Sequence, residues 1–274
     1  MCYHRGMMRA AALTAILLAN GPGFVSAADD PLARARLLYN QRQYDAAVQA
    51  AEQARLTPAR ADAADLVAAR AYLERFRETA ASDDLTNARD RLRRLDPQKF
   101  GPRERAEYVV GLGETLFFEG AYGAAATVFD SVLHSRDGLA GEARERVLDW
   151  WASAIDREAK PRPDIERQGV YMRIRQRMDE ELASHPSSGS AAYWIAAAAR
   201  SQGDLQAAWD AAQAGWVRAR LASDKGEALR ADLDRLVTQA IVPERAARLK
   251  TADVRLAVAG MQNEWTAFKA GWSK

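Results

Sequence analysis

The chain has 274 residues, 48% of them hydrophobic, and its 39 Lys and Arg nearly balance 37 Asp and Glu, for a formal net charge of +2 at pH 7. Such a length can bury a sizeable core. The charge balance argues against a nucleic-acid binder, which needs a one-sided basic face. The only cysteine is Cys2, so no intramolecular disulfide holds the fold and the core must do so.

Residues 1–28 have the three-part layout of a secretory signal peptide. Arg5 and Arg9 form a basic start, an apolar run follows at 10–19, and Gly21-Pro22-Gly23 breaks it before the small residues Val25-Ser26-Ala27-Ala28. The apolar run is shorter than the roughly 20 residues a bilayer span requires. The alternative is a retained N-terminal anchor helix. Cleavage after Ala27 or Ala28 removes Cys2, Arg5 and Arg9, which leaves 39 − 2 = 37 basic residues against 37 acidic ones. The expectation is an exported, periplasmic and electrically neutral protein with no transmembrane segment after cleavage.

From residue 29 onward alanine and leucine dominate, strand-like alternation is absent, and Gly and Pro fall between helical runs. Four segments read as helix-turn-helix, their second helices opening at Tyr44, Leu85, Tyr122 and Leu205. Each opening residue is followed three positions later by alanine: Ala47, Ala88, Ala125 and Ala208. Where two antiparallel helices cross closely, a side chain larger than a methyl group holds them apart, and the large residue one turn earlier fills the wide end. The interval from Tyr122 to Leu205 is about double the others. A further hairpin is therefore expected between them, its second helix opening near Ile165 after Pro161-Arg162-Pro163. The spacing is roughly 37 to 43 residues, a period typical of stacked repeats.

Beyond Arg220 three more helices are expected. One spans 226–240 with Leu229, Leu233, Leu236 and Val237 on one face. A short one starts at Pro243, a favoured first helical position. The last carries Trp265, Phe268 and Trp272 at spacings of three and four. A stack of hairpins exposes apolar surface at its end unless capped, so residues 221–274 read as a cap. The alternative is a partner-binding or self-association helix.

At these residues the chain resembles the tetratricopeptide repeat family. The third unit carries the resemblance best, through Leu112, Gly113, Gly120, Tyr122, Ala125 and Phe129. The first unit matches through Tyr39, Tyr44, Ala47 and Ala54, and the last through Trp194, Gly203, Leu205 and Ala208. The second keeps Leu85, Ala88 and Asp96-Pro97, with a longer connection at 79–84. The unit at 143–184 is recognisable by spacing alone, and the family period is shorter than the one found here, which implies insertions. The resemblance implies an all-α fold, a right-handed solenoid of about five antiparallel hairpins over residues 29–220 with a C-terminal helical cap.

In that family the first helices of the hairpins line the concave face. The resemblance therefore places a groove at Glu107, Val110, Glu114, Phe117 and Phe118 in unit three, Arg36 and Tyr39 in unit one, and Tyr193 and Arg200 in the last. Neighbours on a helix point about 100° apart, so one of Phe117 and Phe118 is expected to pack and the other to face the groove; the alternative is that both pack between repeats. Trp150 and Trp151 pose the same choice. The cluster of Lys, Arg and Asn with which some family members grip a peptide carboxylate has no counterpart, since the matching positions hold Val110, Glu114, Leu32 and Arg36.

The catalytic inventory is thin. There is no phosphate-cradling glycine pattern, no Gly-x-Ser-x-Gly elbow and no histidine pair at ligand spacing. His134 and His185 read as solvent-facing turn residues. Glu107 and Glu114, seven apart on one helical face, form a carboxylate pair, but no flanking pattern suggests a raised pKa. No cofactor or metal is expected. The leading expectation is a non-catalytic adaptor that holds a partner protein segment in its groove. The alternatives are an envelope enzyme acting on peptidoglycan through Glu107 or Glu114, and a structural subunit assembling through the Trp265–Trp272 helix.

Overall fold

A computed structural model describes residues 30–135, 139, 141–249 and 253–272. The expected signal peptide lies outside them. The described residues form thirteen α-helical segments: α1 Pro31–Asn40, α2 Tyr44–Arg55, α3 Ala61–Thr79, α4 Ser82–Leu92, α5 Pro102–Phe118, α6 Tyr122–His134, α7 Glu142–Ala159, α8 Asp164–Ser184, α9 Gly189–Ser201, α10 Leu205–Arg218, α11 Glu227–Leu236, α12 Val242–Arg248 and α13 Val254–Gly271. A π turn, Val237–Ile241, joins α11 and α12 into one rod, so twelve helices pack in sequential pairs. No strand occurs among the described residues. None of the helices among them is long and apolar enough to cross a membrane.

Local chemistry sets the boundaries. Asp30, Ser188, Asp204 and Asp253 cap α1, α9, α10 and α13, each side chain accepting a hydrogen bond from a backbone N–H of the first turn. Pro31 and Pro102 occupy first helical positions, where a missing N–H costs nothing. Three hairpin turns share one geometry. Gly120 (φ +81°) and Gly203 (φ +79°) sit two residues before Tyr122 and Leu205, and Arg42 (φ 60°) holds the matching place before Tyr44.

Ala47, Ala125 and Ala208, three residues into α2, α6 and α10, and Ala88, six residues into α4, have no exposed surface, as contact points between helices should. Gly113 meets a tighter limit: a Cβ there would lie 2.5 Å from Phe129 Cε1 of α6. α2, α6 and α10 open at Tyr44, Tyr122 and Leu205, and α8 opens at Asp164.

Two boundaries differ from the sequence reading. α4 starts at Ser82 and not at Leu85, and the connection from α3 is only Ala80-Ala81. Ala80 adopts a left-handed conformation (φ 55°) and its N–H bonds Phe76 O, so one residue both ends α3 and turns the chain. Pro243 does not open a separate helix. It lies inside the α11–α12 rod, where the wider π turn immediately before it accommodates the missing donor.

The core is a chain of clusters rather than one centre. The largest joins α5 to α9 through Phe129, Leu148, Trp151, Ile155, Ile174 and Met178. Another joins α9 to α13 around Trp265, which is fully buried and donates from Nε1 to Asp234 Oδ1 at 2.8 Å. Trp265 is the only buried residue of α13. Successive odd-numbered helices from α1 to α11 touch one another as well as their hairpin partners. No two successive even-numbered helices are joined so closely. The odd-numbered helices from α1 to α11 thus form one continuous row, and that row positions the candidate site.

Candidate functional site

A cleft of about 350 Å3 opens on the row of odd-numbered helices, walled by α1, α3, α5 and α7. Helical spacing explains its lining. Arg103, Glu107, Val110 and Glu114 recur at four, three and four residues on one face of α5. Arg70 and Glu74 do so on α3, Arg146 and Trp150 on α7, and Tyr39 closes the α1 side. A shallower extension of about 300 Å3 shares Tyr39, Arg70, Arg103 and Glu107 and continues to Arg36 and Glu104. The two form one trough.

The trough is charged, and most of its charges are committed. Arg70 Nη1 lies 3.1 Å from Glu107 Oε2, and its guanidinium sits 4.5 Å from the centre of the Tyr39 ring. Arg103 also pairs with Glu107, at 3.2 Å, and Arg36 pairs with Glu104 at 2.5 Å. Glu74, only 7% exposed, has its Oε2 2.5 Å from Arg77 Nη2 in an ion pair without hydrogen-bond geometry. Glu114 has neither hydrogen bond nor ion pair among the described residues. It is partly open to water at the wall of the cleft yet surrounded by protein, and burial, reinforced by the nearby Glu74 charge, pushes its pKa up to about 7 against the opposing pull of Arg70, Arg146 and Arg77. No local pattern around Glu114 signals a raised pKa; the first cause is burial between helices, and the second is Glu74, brought from 40 positions away in the chain by the packing of α3 on α5. Tyr39 is likewise raised, by burial first, with Arg70 opposing and Glu114 adding.

A second cleft, of about 740 Å3, lies farther along the same row among α7, α9 and the α11 rod. Asp149, Tyr193, Trp194, Asp232 and Arg235 line it, and Trp194 Nε1 donates to Asp149 Oδ1 at 2.8 Å. A third, of about 450 Å3, lies between α6, α7 and α8, where Arg177 pairs with Asp130 and Arg162 with Glu158.

Of the residues expected from sequence, Tyr39, Glu107, Val110 and Glu114 come together in the first cleft, with Arg36 in its extension. Tyr193 lines the second cleft. Arg200 lines neither, and pairs with Glu244 of α12 at 2.5 Å. Phe117 and Phe118 do not reach the trough. Phe117 is buried against Tyr122 and Trp150, with ring centres at 5.2 and 4.6 Å, and Phe118 packs edge-on to Phe76 at 4.9 Å. Both lie one turn beyond Glu114 on the same side of α5, where the rings of Phe76, Tyr122 and Trp150 close the space between hairpins. Trp150 lines the cleft while Trp151 is buried. Arg70, Glu74 and Arg146 were missed. The signal was available, since they occupy on α3 and α7 the same faces that the first and third units present.

His134, at the end of α6, and His185, just past α8, are both exposed to solvent, and each lies near a carboxylate of its own helix, Asp130 at 3.6 Å and Glu181 at 2.9 Å. Among the described residues no group of three or more His, Cys, Asp or Glu could hold a metal ion. No protein-family model matches the chain, and neither curated proteins nor solved structures provide a match.

Proposed function

We propose that this chain is an exported, tetratricopeptide-like scaffold, a right-handed solenoid of hairpins with α11–α13 as its cap, that holds a segment of a partner protein along the row of odd-numbered helices. One observation carries this reading: that row presents side chains from four successive helices to a single continuous trough. A face assembled from equivalent positions of repeated units suits an extended or helical peptide. The mixture of ion pairs, the Tyr39 and Trp150 rings and the apolar Val110 offers both anchoring and orientation. In the bacterial envelope such a protein acts as an adaptor.

Light cross-linking of the tagged chain in its host, followed by identification of the captured proteins, supplies the partner. The decisive variant is Val110→Arg, which fills the cleft from a half-buried position at the edge of the core. It is expected to weaken a purified partner by at least about tenfold while the helical circular dichroism stays unchanged. Unchanged binding by the folded variant would sink the groove reading.

Glu114 supports a second reading. A carboxyl with a pKa near neutrality in a cleft is suited to general acid catalysis, and an envelope enzyme would use it on peptidoglycan. Release of soluble fragments from peptidoglycan by the purified protein, abolished by Glu114→Gln, would replace the adaptor with a catalyst.

A further inference from the structure

The arginines of the trough are unevenly spent. Arg70 and Arg103 both serve Glu107, and Arg77 serves Glu74. Arg146 approaches from α7 but is exposed and forms no ion pair among the described residues. Glu74 of α3 and Glu114 of α5 stand on facing helices, and of the three cations whose charge reaches Glu114, Arg70 is paired with Glu107, Arg77 with Glu74, and Arg146 lies in solvent. Glu114 is the carboxyl left without a contact, and it lines the cleft. Below it on the same face lies Val110, one turn away, and across from it the Trp150 ring. That is an apolar path ending in an unpaired carboxyl.

A peptide seated in the trough would expel the water that now reaches Glu114. A carboxylate losing water needs a counter-charge or a proton. The ligand group that supplies the charge and also suits the path is a long basic side chain, whose methylene stem packs on apolar surface while its head stays polar. An acidic or purely apolar group would leave Glu74 and Glu114 less compensated than before.

Building on the groove reading above, we propose that the segment bound in the trough carries a lysine or arginine whose cationic head is received by Glu114 and Glu74, its stem lying against Val110 and Trp150.

Binding of that residue is then linked to protons. The groups facing Glu114 are Tyr39 of α1, Arg70, Glu74 and Arg77 of α3, Glu107 of α5 itself and Arg146 of α7. Among the carboxyls, Glu74 and Glu107 are already ion-paired, so Glu114 is the group poised to change charge near neutrality. A cationic ligand binds the ionised form, so affinity is full above about pH 7 and falls as Glu114 takes up its proton.

The test uses the full chain and an array of immobilised peptides. Crossing from α1 to α7 takes three helix spacings, about 30 Å, or about nine extended residues. Peptides of that length, otherwise randomised, each carry one fixed residue: Lys, Arg, Glu, Leu or Gln. The expected result is enrichment of Lys or Arg at one register, an affinity about tenfold lower at about pH 6 than at about pH 8, and loss of both preference and pH dependence in Glu114→Gln. Preference for an acidic or apolar residue, no preference at all, or a basic preference that survives Glu114→Gln overturns the cation pocket and leaves the groove reading standing. Absence of any peptide binding by the folded chain removes both.

Discussion

Two glutamates in two parts of the molecule show what burial alone does not reveal. At the joint between α7 and α8, Glu181 is 3% exposed and grips Arg144 through two hydrogen bonds of 2.7 Å, while Arg144 also reaches Leu133 O of α6. Burial raises the Glu181 pKa, but the Arg144 hydrogen bonds and charge, with His185 and Arg177, more than reverse it, and the carboxyl sits below its ordinary range. In the trough, Glu114 is surrounded by protein as well but has no such partner, and its pKa is pushed up to about 7. The first glutamate adds to a joint that Trp151 and Ile155 of α7 and Ile174 and Met178 of α8 also hold. The second is a cost to the folded chain, which points to a ligand rather than to the fold as the reason for its position.

The comparison breaks most easily at Glu181. Replacing it with glutamine leaves Arg144 without its counter-charge, and urea unfolding at about pH 7 should show a loss of about 3 kcal/mol. Because the folded pKa is depressed, the stabilisation is present above the ordinary glutamate value and disappears as pH falls through the lower folded value. The variant should lack that acid-side slope. A loss within about 0.5 kcal/mol would mean that the pair is ornamental, as surface pairs often are.

Glu114→Gln should act in the opposite direction. With the folded pKa at about 7 and the ordinary value at 4.5, ionisation works against folding. Wild-type stability therefore falls as pH rises from about 4.5 through about 7 and is level above that. The variant has no such fall, and at about pH 8 it should be the more stable by roughly 2 kcal/mol, allowing for the water that reaches the cleft. Equal or lower stability at that pH would show that Glu114 has a structural partner after all. The smallest effect is expected from Arg146→Ala. Its stability should change by less than about 0.5 kcal/mol, but the Glu114 titration midpoint, followed by side-chain NMR, should move upward because Arg146 now lowers it. An unmoved midpoint would place Arg146 out of reach.

Much of the secondary structure was legible along the chain because its causes are local. A capping Asp or Ser, a proline at a first position, and Gly120 and Gly203 with positive φ act within a few residues of where they stand. Arg42 and Ala80 were not legible as turn residues, since neither has glycine's freedom and only the surrounding hairpins hold them at positive φ. The π turn before Pro243 is of the same kind. So are Phe117 and Phe118, whose adjacency said that they point in different directions but not that both directions lead to packing.

The sequence by itself therefore determined an all-helical chain, most of the helix starts and the alanines at which helices meet, because periodicity and capping are encoded over one or two turns. Tertiary structure alone decided which helices stand side by side. It placed Arg70 and Glu74 of α3 against Glu107 and Glu114 of α5, and it brought Arg146 and Trp150 in from α7. The protonation of Glu114 follows from that assembly. A pKa responds to water and charge within a few ångströms, and the residues that exclude the one and supply the other are scattered over more than a hundred positions of sequence.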